Sequence, residues 1–181
     1  MKYNIICAGF GGQGVLTAGM VIAGIGSLLN KHVTWFPSYG SEMRGGTANC
    51  NVVVSDTQIA SPFVREPNIL LAMNEPALDK FEQMVVPGGY VFVNADVVSP
   101  DREYRSDIHV IKVDAVKLAH EINNTKGSNI IMLGAITKAT GMFQYDKCEQ
   151  SMCKYFADKG KEKFNDANRL ALKTGYDSVN V

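Results

Sequence analysis

"KYNIICAGFGGQGVLTAG", residues 2–19, decides how the chain folds. Its first seven residues are mostly apolar, a glycine-rich turn follows, and small and apolar residues then resume. That order predicts a buried strand over 3–8, a tight turn, and a helix over 14–29. Gly19, Ala23 and Gly26 fall at i, i+4 and i+7, a smooth face on which another element packs closely. A strand–glycine loop–helix turns backbone N–H groups and a helix N-terminus towards an anion such as a phosphate. Gly9, Gly11 and Gly14 also satisfy G-x-G-x-x-G, the dinucleotide-binding fingerprint. That fingerprint needs an acidic residue about 20 positions on, at the end of the second strand, to hold the ribose hydroxyls. Here the second strand ends Trp35-Phe36-Pro37-Ser38, and the first carboxylate after the loop is Glu42. No arginine stands there for a 2′-phosphate. The residues favour a tight turn or a different ligand over a nicotinamide site.

Working outward, strands are predicted over 32–37 and 48–55. The ten residues between them are too few for a crossover helix, so the two pair antiparallel within a mixed, mainly parallel sheet. Ala48, Cys50, Val52 and Val54 share one face, Asn49 and Asn51 the other. Further strands are expected over 68–73, 90–94 and 108–113. Pro76 suits the first turn of a helix running to about Met84, and Pro87-Gly88-Gly89 is a turn. Asp114 is positioned to cap a helix to about Ile122. Asn129 is positioned to cap one ended by Gly141, and Asp146 with Glu149 resembles a capping box. A last helix over 164–173 would stop at Gly175. These elements compose one α/β domain over residues 1–181, Rossmann-like and three-layered, with helical C-terminal elements.

The bulk numbers narrow the function. Eighteen basic and 18 acidic residues leave a formal net charge of zero, so no basic field recruits nucleic acid or an anionic membrane surface. The uncharged run from Tyr3 to Asn30 is broken by its glycines into a strand and a helix and carries no cleavage pattern, so the chain is expected to be cytoplasmic. Cys7, Cys50, Cys148 and Cys153 are scattered, with the last two pointing about 140° away from each other on a helix. No C-x-x-C run supplies zinc or cluster ligands, and free thiols are expected. His32, His109 and His120 do not cluster, and no serine or cysteine sits in a nucleophile turn.

A second glycine-rich loop, "SYGSEMRGGTANC" (38–50), places Glu42 and Arg44 between two apolar strands. It reads either as a flexible hairpin with a solvated ion pair, or as a bend at Gly45-Gly46 that presents Arg44 to a carboxylate, phosphate or partner. Both glycine loops follow strand ends and so belong to one rim of the sheet, where α/β domains place ligands. Arg65-Glu66 reads as a surface pair.

GFGGQGVLTAG, SYGSEMRGGTANCNVVVS, SPFVREPNILLAMNEPALDKF and VVPGGYVFVN, with NIIMLGAITKATG and KEKFNDANRLALKTGY behind them, together resemble one family across essentially the whole chain. It is that of the gamma subunits of 2-oxoacid:ferredoxin oxidoreductases, equivalent to the gamma domain of pyruvate:ferredoxin oxidoreductase. The resemblance implies CoA-dependent oxidative decarboxylation of a 2-oxoacid to acyl-CoA, CO2 and reduced ferredoxin by a complex in which this chain is not active alone. The similarity is greatest to the 2-oxoglutarate and 2-oxoisovalerate types, with indolepyruvate enzymes carrying a related domain. Thiamine diphosphate, Mg2+ and [4Fe-4S] clusters are implied for the complex, on alpha, beta and ferredoxin-like delta subunits, with ferredoxin as acceptor and none held by this chain alone. Gly9, Gly11, Gly12, Gln13 and Gly14, and Ser38, Tyr39, Glu42, Arg44, Gly45 and Gly46, are carried over as a rim facing coenzyme A or a partner subunit. No catalytic or metal-binding residue is carried over. Two further readings compete: a stand-alone NAD(P)- or flavin-dependent oxidoreductase using G-x-G-x-x-G, and a non-catalytic binding module for coenzyme A or another phosphate.

Overall fold

The computed structural model describes residues 1–38 and 47–180. The apolar run at the front forms β1 (Lys2–Phe10), and after the glycine turn comes α1 (Val15–Leu28). β2 (His32–Ser38) and β3 (Thr47–Ser55) follow, then β4 (Ile69–Ala72), α2 (Glu75–Phe81), β5 (Tyr90–Asn94) and β6 (His109–Val113). The chain ends in α3 (Ala115–Glu121), α4 (Ser128–Thr140), α5 (Tyr145–Ala157) and α6 (Asn165–Asp177).

The six strands form one sheet in the order β2-β3-β1-β4-β5-β6. β1, β4, β5 and β6 pair in parallel, while β3 runs antiparallel to both β1 and β2. β3 is thus the one reversed strand, as the short connection before it requires. The right half, 1-4-5-6, is that of a doubly wound dinucleotide fold. The left half departs from it, because the hairpin inserts β3 between β1 and β2.

Two apolar layers cover the sheet. On one face Ile5, Cys7, Cys50, Val52, Val54, Leu71 and Phe92 pack against α1 and the four C-terminal helices. On the other, Ile6, Ala8, Val53, Leu70 and Val93 meet Ala77, Leu78 and Phe81 of α2. β4 is buried along its whole length, which its uninterrupted apolar sequence ILLA reflects. The smooth face of α1 lies on the hairpin, as its spacing implies: a Cβ at Gly26 would stand 2.8 Å from Val33 and 3.3 Å from Val54.

Several expected stops and caps differ. Gly175 lies inside α6, because α4 and α6 cross so closely there that a Cβ would fall on the Ile131 carbonyl oxygen. Asp114 makes no side-chain cap. Instead Asp96 Oδ2 accepts from the N–H groups of Val116 (2.7 Å) and Lys117 (3.2 Å), closing the start of α3 from across the chain. Asn129 is inside α4, whose cap is Gly127, and its side chain is engaged elsewhere. Asp146 and Glu149 make no capping box; the helix is entered from Gln144, and Glu149 accepts from the Tyr145 hydroxyl at 3.2 Å. The helix after Pro76 ends at Phe81 and tightens into a 3-10 turn, Glu82–Met84. Asn74 caps it by accepting from Ala77 N–H at 2.9 Å.

The long connection from β5 to β6 crosses the α2 side and is fastened by a buried carboxylate. Glu82 is 4% exposed, and its two oxygens take Arg102 Nη2 at 3.1 Å and the Arg105 N–H at 3.0 Å. Arg105 also donates to the Val85 carbonyl at 2.8 Å. Asp79 and Glu75 complete the shell around Arg102.

Candidate functional site: the glycine-turn rim

The turn between β1 and α1 sits at the C-terminal ends of the parallel strands. Gly12 and Gly14 adopt φ +97° and +74°, left-handed values that suit glycine. Gly9 serves a different need. A Cβ there would lie 2.7 Å from Gln13 Oε1 and 2.9 Å from both Met73 and Val15, so the strand end must pass close beneath the turn.

Gln13 explains the shape of the turn. Its backbone N–H donates to the Phe10 carbonyl at 3.2 Å. Its Oε1 accepts from the Phe10 N–H at 2.7 Å and from Asn74 Nδ2 at 3.1 Å, while Nε2 donates to the Met73 carbonyl at 2.9 Å. The side chain therefore points inward and bridges the crevice between β1 and β4. That crevice is the topological switch point, where open α/β sheets place ligands. Here a protein side chain fills it, so Gln13 shapes the rim through the turn it holds.

The open side of the turn faces the other way. Phe10, Gly11, Gly12, Gly14, Val15, Leu16, Thr17 and Ala48 line a cleft of about 350 Å³ against β3. No side chain caps α1, and its first turn holds no acidic residue. The first N–H groups of a helix lack intrahelical partners, so the start of α1 offers donors and a positive dipole end to this cleft. Gly14 is tied to α4: Asn129 Nδ2 donates to its carbonyl at 3.2 Å, and a Cβ at Gly14 would meet the same nitrogen at 2.8 Å.

The second loop begins and ends on this rim. Ser38 is exposed at the end of β2 opposite Asn49, and Thr47 pairs with Phe10. Tyr39, Glu42, Arg44, Gly45 and Gly46 lie outside the described residues. The structure thus brings Gly9, Gly11, Gly12, Gln13, Gly14 and Ser38 to one edge of the sheet.

The sequence placed Asn49 on a strand face and Asn129 at a helix start, but did not show the role of asparagines in underlying that edge. Asn49, Asn74, Asn94 and Asn129 are all buried where strands end or helices begin. Asn74 and Asn129 hold the glycine turn from two sides. Asn94, fully buried, finds no hydrogen-bond partner for either side-chain atom among the described residues. Asn74 and Asn94 stand at the ends of apolar strands, a pattern shared with ordinary turns.

The geometry bears on two chemistries. A dinucleotide site needs the second parallel strand beside the first, to bring its terminal residue to the ribose. Here β3 intervenes, and β2 lies two strand spacings, about 10 Å, from β1. The cysteines do not suit an iron–sulfur cluster either. Cys7 and Cys50 oppose each other across β1 and β3, Cys148 and Cys153 lie on α5, and all four are buried and free. The Cys7 thiol, hydrogen-bonded to Cys50 and buried, ionises well above its ordinary range. Among the described residues no group of His, Cys, Asp or Glu could hold a metal ion, and no helix is long and apolar enough to cross a membrane.

Comparison with known proteins agrees with this domain from end to end. Residues 4–178 match the pyruvate ferredoxin/flavodoxin oxidoreductase family. The chain is 37% identical over 97% of its length to ketoisovalerate oxidoreductase subunit VorA of Methanothermobacter marburgensis, of which it spans only 36%. It is 35% identical to 2-oxoglutarate synthase subunit KorC of Methanocaldococcus jannaschii, covering 98% of this chain and 94% of that one. The gamma subunit of a keto/oxoacid ferredoxin oxidoreductase from Geobacter sulfurreducens superposes with a TM-score of 0.80 at 27% identity, over 97% and 96% of the two chains.

Proposed function

The chain belongs to the pyruvate ferredoxin/flavodoxin oxidoreductase family, and from that premise we propose that it is the gamma subunit of a cytoplasmic 2-oxoacid:ferredoxin oxidoreductase. The reaction is oxidative decarboxylation of 2-oxoglutarate or a branched-chain 2-oxoacid with coenzyme A, giving acyl-CoA, CO2 and reduced ferredoxin. Activity requires alpha and beta subunits that bind thiamine diphosphate with Mg2+, and a ferredoxin-like delta subunit with [4Fe-4S] clusters. The observation that carries this reading is the end-to-end correspondence with a free-standing 2-oxoglutarate synthase subunit.

Thiamine diphosphate supplies the carbanion chemistry on the partner chains. This chain's contribution is positional. Gln13 locks the turn through Phe10, Met73 and Asn74, leaving the backbone of Gly11 and Gly12 exposed at the rim. That backbone and the uncapped start of α1 suit a phosphate of coenzyme A or a carboxylate from a partner subunit. Ser38 stands on the same rim, and Tyr39, Glu42, Arg44, Gly45 and Gly46 are proposed as further contacts to that ligand or partner.

Purification of the tagged chain from its native source tests the assignment. Thiamine- and cluster-binding polypeptides should accompany it in fixed stoichiometry. Recovery of the chain alone in every such preparation would remove the subunit reading.

A further inference from the structure

Cys7 and Cys50 have no task in the subunit reading, and they face each other. They are register partners across β1 and β3, and both are fully buried in the core beneath α1. Opposed residues of an antiparallel pair have Cα atoms about 4.5–5.5 Å apart. That lies inside the roughly 4.4–6.8 Å that a disulfide spans, so the two strands already stand at bridging distance. Cys148 and Cys153, five residues apart on α5, point away from each other and cannot close such a bond.

A cysteine kept only as a small apolar side chain would be ringed by carbon. Cys50 is ringed by polar groups. Its thiol donates to the Val15 carbonyl at 3.7 Å, and the Cys7 thiol is hydrogen-bonded to it. A Cβ at Gly19 would fall on Cys50 Sγ and stand 3.1 Å from Trp35 Nε1, so sulfur and indole nitrogen border one small space. That nitrogen is buried and has no settled hydrogen-bond partner among the described residues. It gains an acceptor when Cys50 gives up its proton. The hydrogen bond from Cys7, joined by that from Trp35, holds the Cys50 thiol below its ordinary range despite burial. Burial pushes Cys148 and Cys153 the other way. The thiolate is the nucleophilic form.

The pair also lies close behind an open surface. Val15 and Ala48 line the cleft at the glycine turn. Val15 takes the Cys50 hydrogen bond, and Ala48 shares the strand face of Cys50. Both strands end three residues from the pair, at Phe10 and Thr47. Strand ends open locally at lower cost than the whole domain unfolds.

We propose that Cys7 and Cys50 form a reversible dithiol–disulfide pair, oxidised by a hydroperoxide, that ties β1 to β3 beneath the glycine turn. The Cys50 sulfur attacks one peroxide oxygen, the O–O bond breaks, and water leaves a sulfenic acid behind. The Cys7 sulfur then attacks that sulfur, the S–O bond breaks, and a second water carries off the remaining thiol proton. Two thiols and one peroxide become one disulfide and two waters. The bond joins the strand that enters the glycine turn to the strand that returns from the second loop. It also takes the thiol donor away from Val15, in the first turn of α1. None of this depends on the subunit reading.

Treating the native full chain with hydrogen peroxide, then alkylating the remaining thiols in denaturant, tests the pair by mass. The chain should lose two hydrogens, and a tryptic digest should contain residues 3–31 cross-linked to residues 45–65. Trp35 is the single tryptophan, and a disulfide beside an indole quenches it. Its emission should therefore fall on oxidation and recover with dithiothreitol. Cys148→Ala/Cys153→Ala should keep both signals, and Cys7→Ala should lose both. If Cys7→Ala fails to fold, the peptide map of the parent chain still decides. Cys7 and Cys50 still alkylated after Cys153 has gained oxygen would overturn the proposal. So would a cross-link to any other cysteine, or one that forms only in urea.

Discussion

Gln13 carries more of the rim than any glycine around it. Its side chain satisfies two donors and one acceptor that would otherwise be left at a crowded strand end. Gln13→Ala is expected to lower unfolding free energy by about 2 kcal/mol, measured by urea denaturation. Gln13→Glu should cost less than alanine but still destabilise, because a carboxylate keeps the two accepting contacts yet faces the Met73 carbonyl. Gly14→Ala should cost about 1–2 kcal/mol, since φ +74° disfavours a side chain and Asn129 occupies the space. The glycines were legible in the sequence because their spacing has few alternatives. The inward course of Gln13 was not, because it depends on Met73 and Asn74, which lie about sixty residues away and meet it only in the folded sheet. Cys148 makes a separate prediction. Burial pushes its thiol up to about 11. The folded state therefore keeps that proton after the unfolded chain has lost it. Stability from this group is full below the unfolded thiol's pKa near 9 and declines as pH rises towards 11. Urea melts at pH 8 and 10.5 should show a smaller alkaline loss in Cys148→Ala than in the parent chain.

The helices show how tertiary contacts displace local signals. Gly175 has the look of a helix stop, yet α6 runs through it because Gly134 and Gly175 let two backbones approach. Gly175→Ala should be severely destabilising, about 3 kcal/mol or more, because backbone rather than a movable side chain occupies the space. Its thermal melt should fall well below that of an exposed control such as Lys173→Ala. Asp96 replaces Asp114 as the cap of α3 for a similar reason: the chain between β5 and β6 brings a carboxylate to the helix start from 20 residues upstream. Element types and most strand bounds could be read from apolar runs and turn residues, including the antiparallel hairpin. Caps could not, since three of the expected capping residues found other partners or none. A cap supplied from a distant segment leaves no local pattern.

Across the molecule, the two faces of the sheet are held differently. The face under α1 and the C-terminal helices is a broad apolar core. The α2 face is smaller and is clamped by Glu82 with Arg102 and Arg105. Glu82→Gln should cost about 3 kcal/mol by leaving Arg102, whose side chain is 15% exposed, short of its best-buried partner. The order of motifs along the chain made the family legible before the fold was known. The strand order explains why the dinucleotide fingerprint misleads: β3 occupies the place that the ribose-binding strand would need. The measurement that tests the subunit assignment most directly is add-back to a purified alpha–beta–delta assembly lacking this chain, read as 2-oxoacid- and coenzyme A-dependent reduction of ferredoxin. Restoration of activity by the chain, with none from the chain alone, is the predicted result. Full activity of the assembly without it would contradict the account.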